Sequence, residues 1–271
     1  MIELLPDRSV LAITGTDRTS FLQGLVTNDL TSLTENRCIW SALLTAQGRW
    51  LSEFFLYSTS SEILMDCPSS HAEMLIKHLS RFRLRAYVQI KLTDFLVIVG
   101  HDAPPPKDII LTASDPRLPN AGWRAILPQD QSPSIPSNTT QWIKHRLNLG
   151  LPDYVDFISE KTLPLEANMD LLHGVSWSKG CYMGQELTAR THYRGLLKRR
   201  LLPVTLTEGH FPEAGGTLMI ADKEVGDIRT RSGNQALALL RKEAWDAPNL
   251  TYNETPVSVL WPEWFPLEMR S

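Results

Sequence analysis

An α+β chain in three parts is expected, with a ferredoxin-like portion early and an antiparallel β-barrel at the C-terminus. Three observations lead there. Strand-sized apolar runs alternate with short amphipathic helices as far as Gly100, and prolines then crowd positions 104, 105, 106, 116, 119, 128, 133 and 136. From Leu201 onward, short apolar runs are broken by Gly215-Gly216, Gly226 and Gly233.

Val10 to Thr14 reads as a strand, and Gly15-Thr16-Asp17 as a turn and N-cap for a helix through Phe21, Leu22 and Leu25. Ile39 to Leu44 and Trp50 to Tyr57 flank Gln47-Gly48, a hairpin turn. Glu62 to Asp66 is a further strand. Ser70-His71-Ala72-Glu73 has the form of a capping box, opening a helix with Met74, Leu75, Leu79 and Phe82 on its apolar face. Strands follow at Tyr87 to Leu92 and Phe95 to Gly100. Ala103 to Ser137 reads as loops around one brief strand, Trp123 to Leu127. Thr139 to Leu149 is a helix with Trp142, Ile143 and Leu147 inward and Gly150 as its stop. Gln185 to Thr191 has helical composition.

The chain has 271 residues and a net charge of −3, enough length for a substantial core and too little positive charge for a surface tuned throughout to nucleic acid. Its three cysteines, Cys38, Cys67 and Cys181, lie far apart, so no zinc knuckle or self-contained cluster site is encoded and a reducing compartment fits. The histidines show no metal-ligand spacing, and no protein-bound metal is expected. No apolar run approaches the roughly 20 residues that span a bilayer, so a soluble protein with no membrane partner is expected. The first residues carry no targeting pattern, which suggests a cytoplasmic protein.

The densest chemistry lies in Lys179-Gly180-Cys181-Tyr182-Met183-Gly184-Gln185-Glu186. Two glycines allow the backbone to bend and approach a ligand, and a lysine beside a cysteine favours the thiolate. Glu186 and Arg190 stand four apart in the favourable acid-before-base order, worth a few tenths of a kcal/mol as a solvated pair. Arg190, His192, Arg194, Lys198, Arg199 and Arg200 form a basic cluster just beyond. It suits the carboxylates of a small ligand, RNA phosphates or an acidic protein patch, and the residues alone do not choose. Trp40, Trp50, Trp123 and Trp177 with Tyr182 and Tyr193 could wall a flat ring, although aromatics are more often core, and Tyr182 and Tyr193 are the ones chosen for their closeness to the signature.

The octapeptide resembles the signature of the YgfZ family, folate-binding proteins of iron–sulphur cluster maintenance related to the aminomethyltransferase (T-protein) of glycine cleavage. Phe21 to Asp29, Gln47-Gly48-Arg49 and Leu163 to Asn168 are similar to that family's other motifs in order and spacing. The resemblance implies a three-part T-protein fold: a discontinuous first domain of 1–46 with 138–196, a ferredoxin-like domain of 47–137 and a barrel of 197–271. It also implies bound tetrahydrofolate or a derivative, with Asn28, Asp29, Glu166, Tyr182, Gln185, Arg190 and Tyr193 as the residues around it. Cys181, Lys179 and Glu186 would carry the chemistry, with Lys179 tuning the thiol. Iron–sulphur client or assembly proteins would be the partners, the link to tRNA would be indirect, and a monomer is expected.

Two places depart from the aminomethyltransferases, which carry consecutive acids after the hairpin glycine and a glutamate in an Arg-Leu-Glu-Ala-Gly helix end. Here Ser52-Glu53 and Arg146-Leu147-Asn148-Leu149-Gly150 stand instead. Each change removes a carboxylate that could bind a pterin edge or steady positive charge. An accessory factor for cluster assembly or repair therefore fits better than the alternative, a folate-dependent aminomethyl or one-carbon transferase. An RNA-contacting modification factor, acting through the basic cluster, is a third reading.

Overall fold

The computed structural model describes residues 1–106, 109–131, 135–212 and 215–270. Part of the proline-rich stretch read as loops, 107, 108 and 132–134, lies outside the described residues. Among the described residues, fifteen strands and four α-helices follow one another: β1 (Ile2–Leu4), β2 (Arg8–Thr14), α1 (Arg18–Gln23), β3 (Ile39–Leu44), β4 (Trp50–Ser58), β5 (Glu62–Pro68), α2 (Ser69–Phe82), β6 (Gln89–Leu92) and β7 (Leu96–Gly100) make the first part. β8 (Leu111–Ser114), β9 (Trp123–Leu127), α3 (Thr140–Leu149) and α4 (Gln185–Tyr193) come next. β10 (Arg199–Leu206), β11 (Thr217–Ile220), β12 (Lys223–Ser232), β13 (Gln235–Arg241), β14 (Leu250–Tyr252) and β15 (Thr255–Val259) end the chain.

The strands form three all-antiparallel groups: a five-stranded sheet β3-β4-β5-β2-β6, a four-stranded sheet β1-β7-β9-β8, and a closed barrel β10-β13-β12-β11-β14-β15. The α+β class and terminal barrel are thus as expected. The β3–β4 hairpin pairs residues on either side of position 46, so a domain cut there would sever six paired positions. β1 and β8 arise where no strand was expected. Each is short and draws its stability from a distant partner: Ile2 to Leu4 pair with Ile98 to Gly100, and Leu111 to Ser114 with Trp123 to Ile126.

Two local expectations fail for reasons visible in the backbone. The Ser70–Glu73 capping box does not form, because α2 already begins at Ser69, with Pro68 in the N-cap place and no side-chain cap. Asp17 precedes α1 but does not cap it; its carboxylate accepts the N–H of Tyr87 instead. Gly150 does end α3, in the left-handed conformation at φ 68°, with its N–H returned to Arg146 and Leu147.

Between the sheets, Arg8, Arg117 and Arg124 gather around the Phe55 ring, Arg124 at 3.9 Å from its centroid. Asp66 accepts from Arg8 at 2.6 Å and from Arg124 at 2.6 Å, while Asp115 pairs with Arg117 at 2.6 Å. Buried charges this dense survive only because each is matched and hydrogen-bonded, and the set ties the five-stranded sheet to the four-stranded one.

The barrel is fastened to the segment leading into the signature. Glu166 accepts from Arg199 at 2.9 Å, Asn168 donates to the carbonyl of Leu201 at 2.6 Å, and Arg200 forms a two-point pair with Asp170 at 2.9 and 2.8 Å. A second fastening joins α3 to β12: Arg146 bonds Asp156 at 2.9 Å, and Asp156 in turn accepts the N–H of Thr230.

Candidate functional site

A cleft of about 790 Å³ opens between the two sheets, within the size range of small-molecule sites. Asn28 and Asp29 form one lip, Cys38 and Ile39 enter from the start of β3, Asp115, Leu118 and Pro119 from the loop after β8, and His173 and Val175 to Ser178 from the approach to the signature.

Asn28 is a clip in this wall. Its amide donates to the carbonyls of Trp40 at 2.8 Å and His173 at 2.7 Å, so it holds β3 against the approach segment. Asp29 gathers Gln23, the Thr31 amide and the Thr31 hydroxyl on one carboxylate oxygen, at 2.8, 2.9 and 2.8 Å. Those Thr31 bonds favour the charged form and hold its carboxyl below the usual range. Its other oxygen has no protein partner among the described residues and is free for a ligand.

The octapeptide folds over the same lip. Lys179 turns inward and donates to the carbonyls of Val26 and Asn28, both at 2.8 Å. Burial lowers its pKa to about 8. This corrects the role given to Lys179 in the sequence: its ammonium is engaged by backbone carbonyls and also sits 5.2 Å from the Tyr182 ring centre, not on the Cys181 thiol. Cys181 is exposed, whereas Cys38 and Cys67 are buried and their thiols pushed up to about 12 by desolvation. Of the three, Cys181 is the one a cluster or an electrophile can reach.

The remaining residues separate into loop, frame and rim. Gln185 accepts the Tyr182 N–H at 3.1 Å, closing the signature turn. Tyr182 is buried in the core, its phenol pushed up to about 12, and does not face the cleft. Glu166 does not border the cleft either, since its carboxylate is taken by Arg199 and the Leu163 amide. Glu186 and Arg190 are both exposed, and no ion pair joins them among the described residues. Tyr193 lies near the cleft through Trp177: His192 stacks on Trp177 at 3.9 Å and 19°, and Tyr193 meets that indole edge-on at 5.9 Å.

Trp177 and Arg37 line the cleft and were not among the residues expected there. Neither carries a signal of its own, since a tryptophan outside a motif reads as core and a lone arginine as surface. Two departures from the aminomethyltransferases also acquire a location. Glu53 is buried against Arg8 and accepts the Trp40 indole N–H at 2.7 Å, and Asn148 is exposed on α3. Neither lines the cleft. Among the described residues, no group of three or more His, Cys, Asp or Glu could hold a metal ion, and no helix is long and apolar enough to cross a membrane.

A family model described as the C-terminal beta-barrel domain of CAF17 matches residues 198–267. The mitochondrial iron-sulfur cluster assembly factor IBA57 of Mus musculus is 32% identical, covering 97% of this chain and 84% of its own. The chain belongs to the IBA57 family. The Homo sapiens IBA57 is likewise 32% identical over 97% of this chain and 84% of its own. Among solved structures, the glycine cleavage system aminomethyltransferase T of Bartonella henselae superposes with a TM-score of 0.78 over 97% of this chain and 86% of its own, at 14% identity, which establishes a shared fold. The IBA57 relatives are named as mitochondrial, and this overturns the cytoplasmic setting expected from the first residues.

Proposed function

We propose that this chain is a folate-binding accessory factor of the YgfZ type, supporting assembly or repair of iron–sulphur clusters. Its clients would be cluster enzymes, tRNA-modifying radical enzymes among them, with any effect on tRNA indirect. One arrangement carries the reading: Lys179 fixes the signature loop to the lip of the cleft while Cys181, two residues on, stands in solvent. A ligand in the cleft and a thiol outside it are thereby coupled through one short segment.

The cleft residues fit a reduced folate. The free oxygen of ionised Asp29 suits the amidine edge of a pterin, the Trp177 face suits its flat ring, and exposed Arg37 suits a tail carboxylate. When bound, the folate would supply a one-carbon or redox-active centre. The chain's own residues orient it and leave the thiolate of Cys181 free to ligate the iron of a cluster in transit.

The transferase reading draws no support from the site. The carboxylate of Glu53 is held by Arg8 and Trp40, and Asn148 faces solvent, so neither departure is made good inside the cleft. We also propose that the chain works as three parts, with the barrel from about residue 197 and both sides of the β3–β4 hairpin kept in one unit. Titration with tetrahydrofolate, followed by tryptophan fluorescence, tests the ligand. Saturable binding at micromolar levels is expected; if no folate of any oxidation state binds at such levels, the cofactor assignment is wrong.

A further inference from the structure

The five-stranded sheet has two unlike edges. β3 is covered: the Thr27 N–H bonds Ala42, and Val26 bridges Leu43. β6 is open, since among the described residues its backbone bonds only to β2. An uncovered edge presents unpaired N–H and C=O groups, a template for another strand.

The segment feeding that edge is unusual in charge and exposure. From Met74 to Thr93 the chain carries Lys77, Arg81, Arg83, Arg85 and Lys91 and no acid, although the chain as a whole is at −3. Leu84 is 90% exposed, Tyr87 78% and Leu92 57%. Leu84 also sits at φ 41°, where residues other than glycine are uncommon, in the turn between α2 and β6. Beneath it, Gly15 at φ 107° carries the loop so closely that a Cβ there would come within 1.9 Å of the Tyr87 carbonyl. The nearby acid Asp17 is occupied by the Tyr87 N–H.

We propose that the β6 edge with the Arg81–Tyr87 loop is a docking site for an extended, acidic segment of a partner protein, which adds a sixth strand to the sheet. Alternating acidic and aliphatic residues match both features: carboxylates meet Arg81, Arg85 and Lys91, and aliphatic side chains cover Leu84 and Leu92. RNA is the weaker match, because Tyr87 offers a stacking face but Leu84 and Leu92 do not, and the chain as a whole is acidic. The site is independent of the folate reading. It lies at the opposite edge of the sheet from β3, about 19 Å away across four strand spacings.

A fluorescein-labelled peptide of alternating Glu and Val or Ile, its Lys-for-Glu counterpart and an unstructured single-stranded RNA are titrated against the full chain by anisotropy. The acidic peptide is expected to bind, to weaken as salt rises, and to lose about tenfold in affinity to the Arg81→Glu/Arg85→Glu variant and several-fold to Leu84→Ser. All the altered side chains are exposed, and an unchanged thermal-unfolding midpoint of each variant confirms its fold. Absence of acidic-peptide binding, equal binding by the charge-reversed variant, or preference for the Lys peptide or the RNA would overturn the proposal.

Discussion

Gly48 and Gly184 lie back to back. A Cβ on Gly184 would stand 2.5 Å from the Thr45 carbonyl and 3.1 Å from the Gly48 Cα, and one on Gly48 would stand 2.7 Å from the Gly184 carbonyl. Both residues hold positive φ, 73° and 79°. The hairpin turn and the signature, which look unrelated in sequence, are two halves of one backbone contact.

Gly184→Ala should therefore be costly, since it combines left-handed strain with a clash against backbone that cannot rotate away. A loss of roughly 2 to 4 kcal/mol is expected in denaturant unfolding. Gly180→Ala is the control. Nothing lies within 4 Å of a Cβ there, and a change under about 1 kcal/mol is expected. Equal losses at both positions would contradict the contact.

Cys181→Ser should fold normally, with stability within about 0.5 kcal/mol of the parent, because the side chain is exposed. Its tetrahydrofolate titration should not change. Cells lacking the protein should nonetheless fail to recover cluster-enzyme activity when given this variant, since a hydroxyl does not ligate iron at neutral pH. Full complementation would reduce the signature to a structural turn.

Trp177→Ala and Asp29→Asn should each weaken tetrahydrofolate binding, by about tenfold for loss of a stacking face or of a charged acceptor. Unchanged affinity in both would move the ligand out of this cleft.

Lys179 gives a dependence on pH with a definite sign. The folded state releases its proton near pH 8, whereas the unfolded chain holds it to about 10.5. Unfolding in that window takes up a proton, so rising pH should favour the fold more in the parent than in Lys179→Met. Comparison of unfolding midpoints at pH 8 and pH 10 measures the difference, and a parent that loses stability relative to the variant would show that the ammonium is not buried at a cost.

Glu166→Ala separates frame from cleft. Loss of the Arg199 pair and the Leu163 bond should cost about 1 to 3 kcal/mol while folate affinity holds. A large fall in affinity with no loss of stability would return Glu166 to the binding site.

How much of this was legible depended on whether the signal was local. The strand Trp123–Leu127 was found to the residue because four of its five residues are apolar and turn residues bound it. β8 was missed because four partly polar residues among prolines have strand form only when β9 lies beside them. The same division runs through the site. Asn28 and Asp29 could be named from their motif and do line the cleft, and Gln185 closes its own turn. Lys179 was misassigned because nearness to Cys181 in sequence does not fix where a long side chain points. Glu166 was misassigned because its partner, Arg199, is 33 residues on and read as part of a basic surface. Trp177 was one of several possible ring walls, and only the fold sets it on the cleft, stacked on His192.

The anchoring of the signature loop also has a consequence for biosynthesis. Lys179 reaches back 153 residues to Val26, and Glu3 accepts the Trp142 N–H from 139 residues away, at 2.9 Å. Contacts this distant close late, after the ribosome has released most of the chain. A nascent or truncated polypeptide can thus complete its first sheet without ever displaying Cys181 in its mature setting.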